Sequence, residues 1–247
     1  MKLRKQYDIM WVEVRIRLIQ RYTERIRRMN KHICTVSSKQ LFSSCLLASI
    51  AHAIMTNEYP DLSYEQSWDG DNYSKISENY RMMVSFKDDY CVGVIRNDEF
   101  RGFSQQTIHA LLQESDFPTE AVDLLKAEAL EYVLLEDEDG VAVPVVTSLL
   151  YGNAESLTVI SNDGETLKGD METLAPHIAP VERQIEYWRE YGDMSDSQIA
   201  LLKDLHTVKL KEFHTVIHMS DEQKKMLSGE EIDEECVTSF AEINIVV

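Results

Sequence analysis

Glycine and proline are scarce in this chain, nine and five in 247 residues, which leans toward helices and away from an all-β design with its many tight turns. The four cysteines, at 34, 45, 91 and 236, show no C-x-x-C spacing, so a reduced, cytoplasmic protein is the expectation. No apolar run approaches the roughly 20 residues of a membrane-spanning helix. The opening MKLRKQYD is basic but leads into no uninterrupted apolar stretch, and no secretory signal is expected. Phosphate-cradling glycine loops are missing, as is the G-x-S-x-G turn of a serine nucleophile. No internal repeat or low-complexity tract is visible.

Charge is what the chain has in excess. The net charge of −18 is unevenly placed: residues 1–31 hold ten Lys/Arg against three Asp/Glu, and residues 32–247 hold 15 against 40. This asymmetry describes a basic arm on an acidic body, here divided as residues 1–34 and 35–247. An acidic body repels phosphate backbones, which leaves the basic arm as the one place for direct nucleic-acid contact. The 44% apolar content is that of an ordinary globular protein.

The densest structural signal lies between Tyr59 and Asp98. Asp69-Gly70 supplies the positive φ of a tight turn between Trp68 and Tyr73. Met83–Phe86 and Tyr90–Ile95 are apolar and β-branched runs separated by Lys87-Asp88-Asp89, a second hairpin. Gly93 inside the second run implies a bulge or a close backbone approach.

Helices are expected on either side. Over residues 5–31 the stripe Tyr7, Trp11, Val14, Leu18 and Tyr22 steps at helical spacing, with Arg15, Arg21, Arg25 and Arg28 on much of the remaining surface. The alternation Val12 to Leu18 is a rival strand pattern, and length decides for the helix. Ser37-Ser38-Lys39-Gln40 is a capping box opening a broad apolar helix over 37–56. Ser104 and Thr119 read as caps of two further helices. Val141–Leu150 and Leu157–Ile160 read as strands, the first edge-like or bulged at Pro144. Turns are expected at Tyr151–Asn153 and Asn162–Gly164. Beyond Pro180 the helical period returns, in a stripe of Val181, Ile185 and Trp188. A long helix follows from Ser195 or Asp196 through Ile217, and a short one is capped by Ser220. The tail, Val237 to Val247, alternates like a final strand, expected to close the fold or to pair with a partner as a second docking element beside the basic helix.

Chemical candidates are few. Cys45 lies near a helix start, where a thiolate gains from the dipole. Ser44-Cys45 resembles the Ser-Cys of papain-like proteases over two or three residues, without the family's aromatic and glycine neighbours. His214 and His218 are spaced to share a helix face, but Thr215 stands where a zincin has its glutamate. Asp69-Gly70-Asp71-Asn72 lacks the twelfth-position glutamate of a calcium loop, since that position is Tyr80. No cofactor and no catalytic residue are assigned.

The expectation is an α+β protein, helix-rich with an antiparallel sheet, a basic N-terminal helix and a C-terminal strand. Its expected role is that of a non-catalytic accessory subunit of a bacterial-type cytoplasmic complex, a defence complex being one such setting. Trp11, Arg15, Arg21, Arg25 and Arg28 would contact a larger protein partner. The alternatives are an acidic immunity or inhibitor protein on a basic nuclease surface, and a cysteine- or metal-dependent hydrolase.

Overall fold

A computed structural model describes residues 29–114, 117–136, 140–227 and 231–247 of the chain. Its centre is an antiparallel sheet of seven strands, so the α+β expectation holds. In chain order the sheet strands are β1 (Asn30–Cys34), β2 (Gln66–Asp69), β3 (Asn72–Ile76), β4 (Tyr80–Lys87), β5 (Tyr90–Asn97), β8 (Ser148–Gly152) and β9 (Leu157–Ser161). Two short strands, β6 (Leu134–Glu136) and β7 (Ala142–Pro144), pair separately. Across the main sheet the order is β1-β9-β8-β5-β4-β3-β2, every neighbour antiparallel.

Turn chemistry sets the register. Gly70 has φ +58° and Asp69 pairs with Asn72, so the β2–β3 hairpin turns where Asp69-Gly70 places it. Asp88 takes φ +48° in the β4–β5 turn. With these registers pinned, period-two alternation sorts residues between the two faces. Met82, Val84, Phe86, Cys91, Ile95, Leu150 and Val159 enter the larger core, while Met83, Val92, Val94, Leu149 and Ile160 enter the smaller one. Gly93 breaks no register. It lies opposite Val84 and Leu150, and a Cβ there would meet the Met83 carbonyl at 2.5 Å.

The larger core is built around α1 (Ser38–Met55). Its capping box closes as the sequence indicates: the Ser37 hydroxyl accepts the Gln40 N–H at 3.2 Å, and the Gln40 side chain accepts the Ser37 N–H at 2.8 Å. From Ser44 to Met55 every residue of α1 is buried, the condition of a helix apolar all round. Packed in the same layer are α4 (Gly164–Ile178), α5 (Val181–Tyr191), α6 (Asp196–Lys209) and α8 (Glu234–Glu242). The opposite face carries α2 (Gln105–Glu114) and α3 (Thr119–Leu124), the latter continued by a π-helical turn, Leu125–Ala129, and a last turn, Leu130–Tyr132. Two small elements, β10 (Ile217–His218) with α7 (Asp221–Met226), precede α8, and β11 (Ile245–Val246) pairs in parallel with β10.

Several expectations need correction. Residues 30–34, grouped with the basic arm, are strand β1, because they pair with β9 from Asn30↔Ser161 to Cys34↔Leu157. The helix expected over 5–31 otherwise lies outside the described residues. Position 118 rather than Thr119 precedes the helix there. The strand expected over 141–150 divides into β7 and β8, with Pro144 at the end of the small β6–β7 pair. Helix α4 follows an Asp163 cap where only a turn was expected, since Gly164, Gly169 and Pro176 lower its helical signal. Helix α6 stops at Lys209, whose buried ammonium donates to the carbonyls of Phe213 and Thr215 and curls the chain into a turn. The tail is mostly helix: Asp233 caps α8, and Cys236, Phe240 and Ile243 recur at helical spacing into the core. Strand structure there is confined to β11.

Candidate functional site

The corrected elements redistribute the sequence candidates. Trp11, Arg15, Arg21, Arg25 and Arg28 lie outside the described residues. Cys45 sits two turns inside α1 and is fully buried; desolvation pushes its thiol well above the ordinary range, with the Cys91 charge adding to the effect. That is the opposite of an activated thiolate. His214 and His218 do not share a helix, because one follows α6 in a turn and the other is in β10. Among the described residues no group of three or more His, Cys, Asp or Glu is placed to hold a metal.

One Ser–His pair lies within hydrogen-bonding distance, between α1 and α6. Ser43 Oγ lies 3.2 Å from His206 Nε2, but the same nitrogen is 2.9 Å from the Ser43 carbonyl oxygen. A carbonyl only accepts, so Nε2 must carry the proton and cannot receive the serine's. The pair is a structural tie between α1 and α6.

The most unusual side chain among the described residues is Lys75. The β2–β3 turn fixes its register, opposite Gln66 on one side and Met82 on the other, on the face that also carries Tyr73 and Tyr80. This places a lysine in the larger core at 7% exposure. Its Nζ lies 5.6 Å from the Trp188 ring centre, 5.9 Å from that of Tyr80 and 6.0 Å from that of Tyr187. Three ring faces therefore share one ammonium at the outer range of cation–π attraction. Among the described residues no carboxylate stands within ion-pair distance of it. Glu65, whose charge acts on it, is bonded to the Tyr191 hydroxyl at 2.7 Å. Desolvation lowers the lysine's pKa, and Glu65 only partly offsets this.

Lys75 lines a cleft of about 490 Å³ between the strand ends and the α4–α5 pair. Tyr80, Tyr187 and Phe100 form apolar walls; Asn97 and Thr173 add amide and hydroxyl groups; the exposed Glu99 and Glu172 stand at its rim. Close helix packing depends on Gly169, where a methyl would overlap the Phe100 ring. Behind the lysine, His177 is fully buried, edge-on to Tyr73 at 5.5 Å between ring centres, and its Nε2 has no hydrogen-bond partner among the described residues. Burial, reinforced by the Lys75 charge, holds the imidazole neutral down to about 3. Sequence reading passed over Lys75, although strand period two from Tyr73 puts it on a buried face. A lysine inside an alternating apolar pattern was the available signal.

The two borders of the sheet differ. At β2 the Glu242 carboxylate accepts the main-chain N–H of Trp68 and the hydroxyl of Ser67. At β1 the outer edge has no strand beside it among the described residues, and Asn30 to Ile33 are exposed, Ile33 at 58%. No helix among the described residues is long and apolar enough to cross a membrane.

No protein-family model matches the chain, nor does any curated protein or solved structure.

Proposed function

We propose that the chain is a non-catalytic accessory subunit of a cytoplasmic protein complex, docking on a larger partner through its basic N-terminal segment and the adjoining strand β1. The observation that carries this reading is the contrast between the two sheet borders. Glu242 takes up a main-chain N–H at the edge of β2, whereas β1 presents an exposed edge at the end of the segment that holds the ten cationic residues of positions 1–31. An open edge offers main-chain hydrogen bonds to a partner, and the neighbouring cations select an acidic one. Trp11, Arg15, Arg21, Arg25 and Arg28 supply the side-chain contacts in this reading.

The test is affinity purification from the native host with the full chain, with a variant lacking residues 1–28, and with full-length Ile33→Glu. A stoichiometric protein recovered with the full chain and lost from both variants is the expected result. Retention of that protein by both variants would refute the docking assignment.

A second reading has its own support. Residues 32–247 carry 40 carboxylates against 15 cationic side chains, a surface suited to an inhibitor or immunity protein facing a basic nuclease. That complex would survive loss of residues 1–28 and would weaken steeply with salt.

A further inference from the structure

We propose that the Lys75 cleft binds a small zwitterion of the amino-acid type, its carboxylate on Lys75 and its ammonium toward Glu99 and Glu172. Charge inside the protein is out of balance at Lys75. A cation taken out of water is normally matched by a carboxylate and hydrogen bonds, because leaving it unmatched is strongly unfavourable. Lys75 has three aromatic rings instead, each more than 5.5 Å away, and no ion-pair partner among the described residues. It lines a cleft whose volume, about 490 Å³, lies within the range of small-molecule sites. A carboxylate entering there supplies the missing charge.

The rim narrows the ligand class. Glu99 and Glu172 are exposed at the mouth, and Lys168, 3.9 Å from Glu172, offsets only one of them, so a phosphate dianion meets a net negative rim on its way in. A simple cation is drawn to the rim but repelled by Lys75 at the floor. A molecule with a carboxylate at one end and an ammonium at the other satisfies both. Tyr80 and Tyr187 line the cleft with aromatic surface for an apolar body between the two charges, and Asn97 and Thr173 offer hydrogen-bonding groups beside it. Cleft and docking edge are separate, since β3 and β1 lie toward opposite borders of the sheet.

The experiment screens the standard L-amino acids one at a time against the full-length protein by thermal shift, at about 10 mM, where a millimolar ligand measurably raises the melting temperature. Calorimetry then follows for any that stabilise. The amine-only and acid-only analogues of the best ligand, and inorganic phosphate, are titrated alongside. We expect saturable binding of at least one amino acid, with both half-analogues and phosphate at least about tenfold weaker, a difference of ~1.4 kcal/mol. Lys75→Met should abolish binding. The Glu99→Gln/Glu172→Gln double variant, altered only at exposed positions, should weaken binding about tenfold even if Lys75→Met does not fold. Absence of stabilisation by every amino acid overturns the proposal. So does equal affinity for the acid-only analogue or for phosphate, or binding that survives both sets of substitutions.

Discussion

The Glu242 carboxylate accepts the backbone N–H of Trp68 at 2.8 Å, so the last helix of the chain closes the border of the sheet at its far end from β1. Two positions 174 residues apart are thereby joined through one side chain. Removing it leaves a strand edge with unpaired polar groups, a template for pairing between molecules. Glu242→Ala is expected to lower stability by about 1 kcal/mol and to promote self-association. Glu242→Gln, which keeps an acceptor oxygen, should stay close to wild type. Urea denaturation and sedimentation of the two variants distinguish an edge-closing role from a surface charge effect, in which Gln and Ala would behave alike.

Acid should destabilise the protein through its buried imidazoles. Folded His177 stays neutral down to about 3, whereas the unfolded chain takes up that proton near 6.5. Between these values the unfolded state holds more protons, so stability present above 6.5 is lost as pH falls through the window. The limiting slope from one such group is about 1.4 kcal/mol per pH unit. His52 and His206, both lowered chiefly by burial, act in the same direction. Urea midpoints for wild type and His177→Leu, compared at about pH 7.5 and 5, should show a shallower pH dependence in the variant. Identical dependence in the two proteins would show that His177 is protonated alike in both states.

Gly93 is fixed by sterics rather than by dihedral freedom. A methyl there would lie 2.5 Å from the Met83 carbonyl oxygen and 3.2 Å from side-chain atoms of Leu150 and Val84. The rigid neighbours are strands β4 and β8, which hold Gly93 from both sides. Gly93→Ala should therefore destabilise by about 1–3 kcal/mol, as overpacking in a tight core does. A lowered urea midpoint with unchanged slope is the expected reading, and an unchanged midpoint would mean that the strands separate freely.

The four thiols should be inert in the native state. Cys45 and Cys91 are fully buried, and burial pushes the Cys91 and Cys236 thiols up to about 12. Cys34 is shifted in the same direction by the same cause. A thiol-reactive dye at neutral pH should label none of them until denaturant is added. Cys45→Ala should keep full function at a modest loss of stability from the small cavity. Fast native labelling of Cys45, with loss of function in the alanine variant, would restore the cysteine-hydrolase reading.

Short-range hydrogen bonding explains what was legible. The boxes Ser37/Gln40 and Ser220/Gln223 form as read, because each closes over three residues and depends on nothing beyond its own turn, and the helix start left open between Ser195 and Asp196 resolves to a third box, Ser195/Gln198. The Asp69-Gly70 turn and the two hairpins it leads into follow from the same locality, and period-two alternation then sorts the strands onto two cores. Local signal failed where a distant group overrode it. Gly169 weakens the helical pattern of α4 but admits the Phe100 ring, and the alternating tail folds as helix because Cys236, Phe240 and Ile243 meet the core on one face.

What the amino-acid sequence determined by itself was therefore the class of fold, most turns and caps, and the charge contrast between the N-terminal segment and the body. Only the tertiary structure decided which side chains lost their water. Lys75 is an ordinary lysine in the chain, and it becomes a buried cation without an ion-pair partner among the described residues once Tyr187 and Trp188 of α5 join Tyr80 of β4 around it. Desolvation is a property of all the elements around a group at once, and no local spacing of residues encodes it.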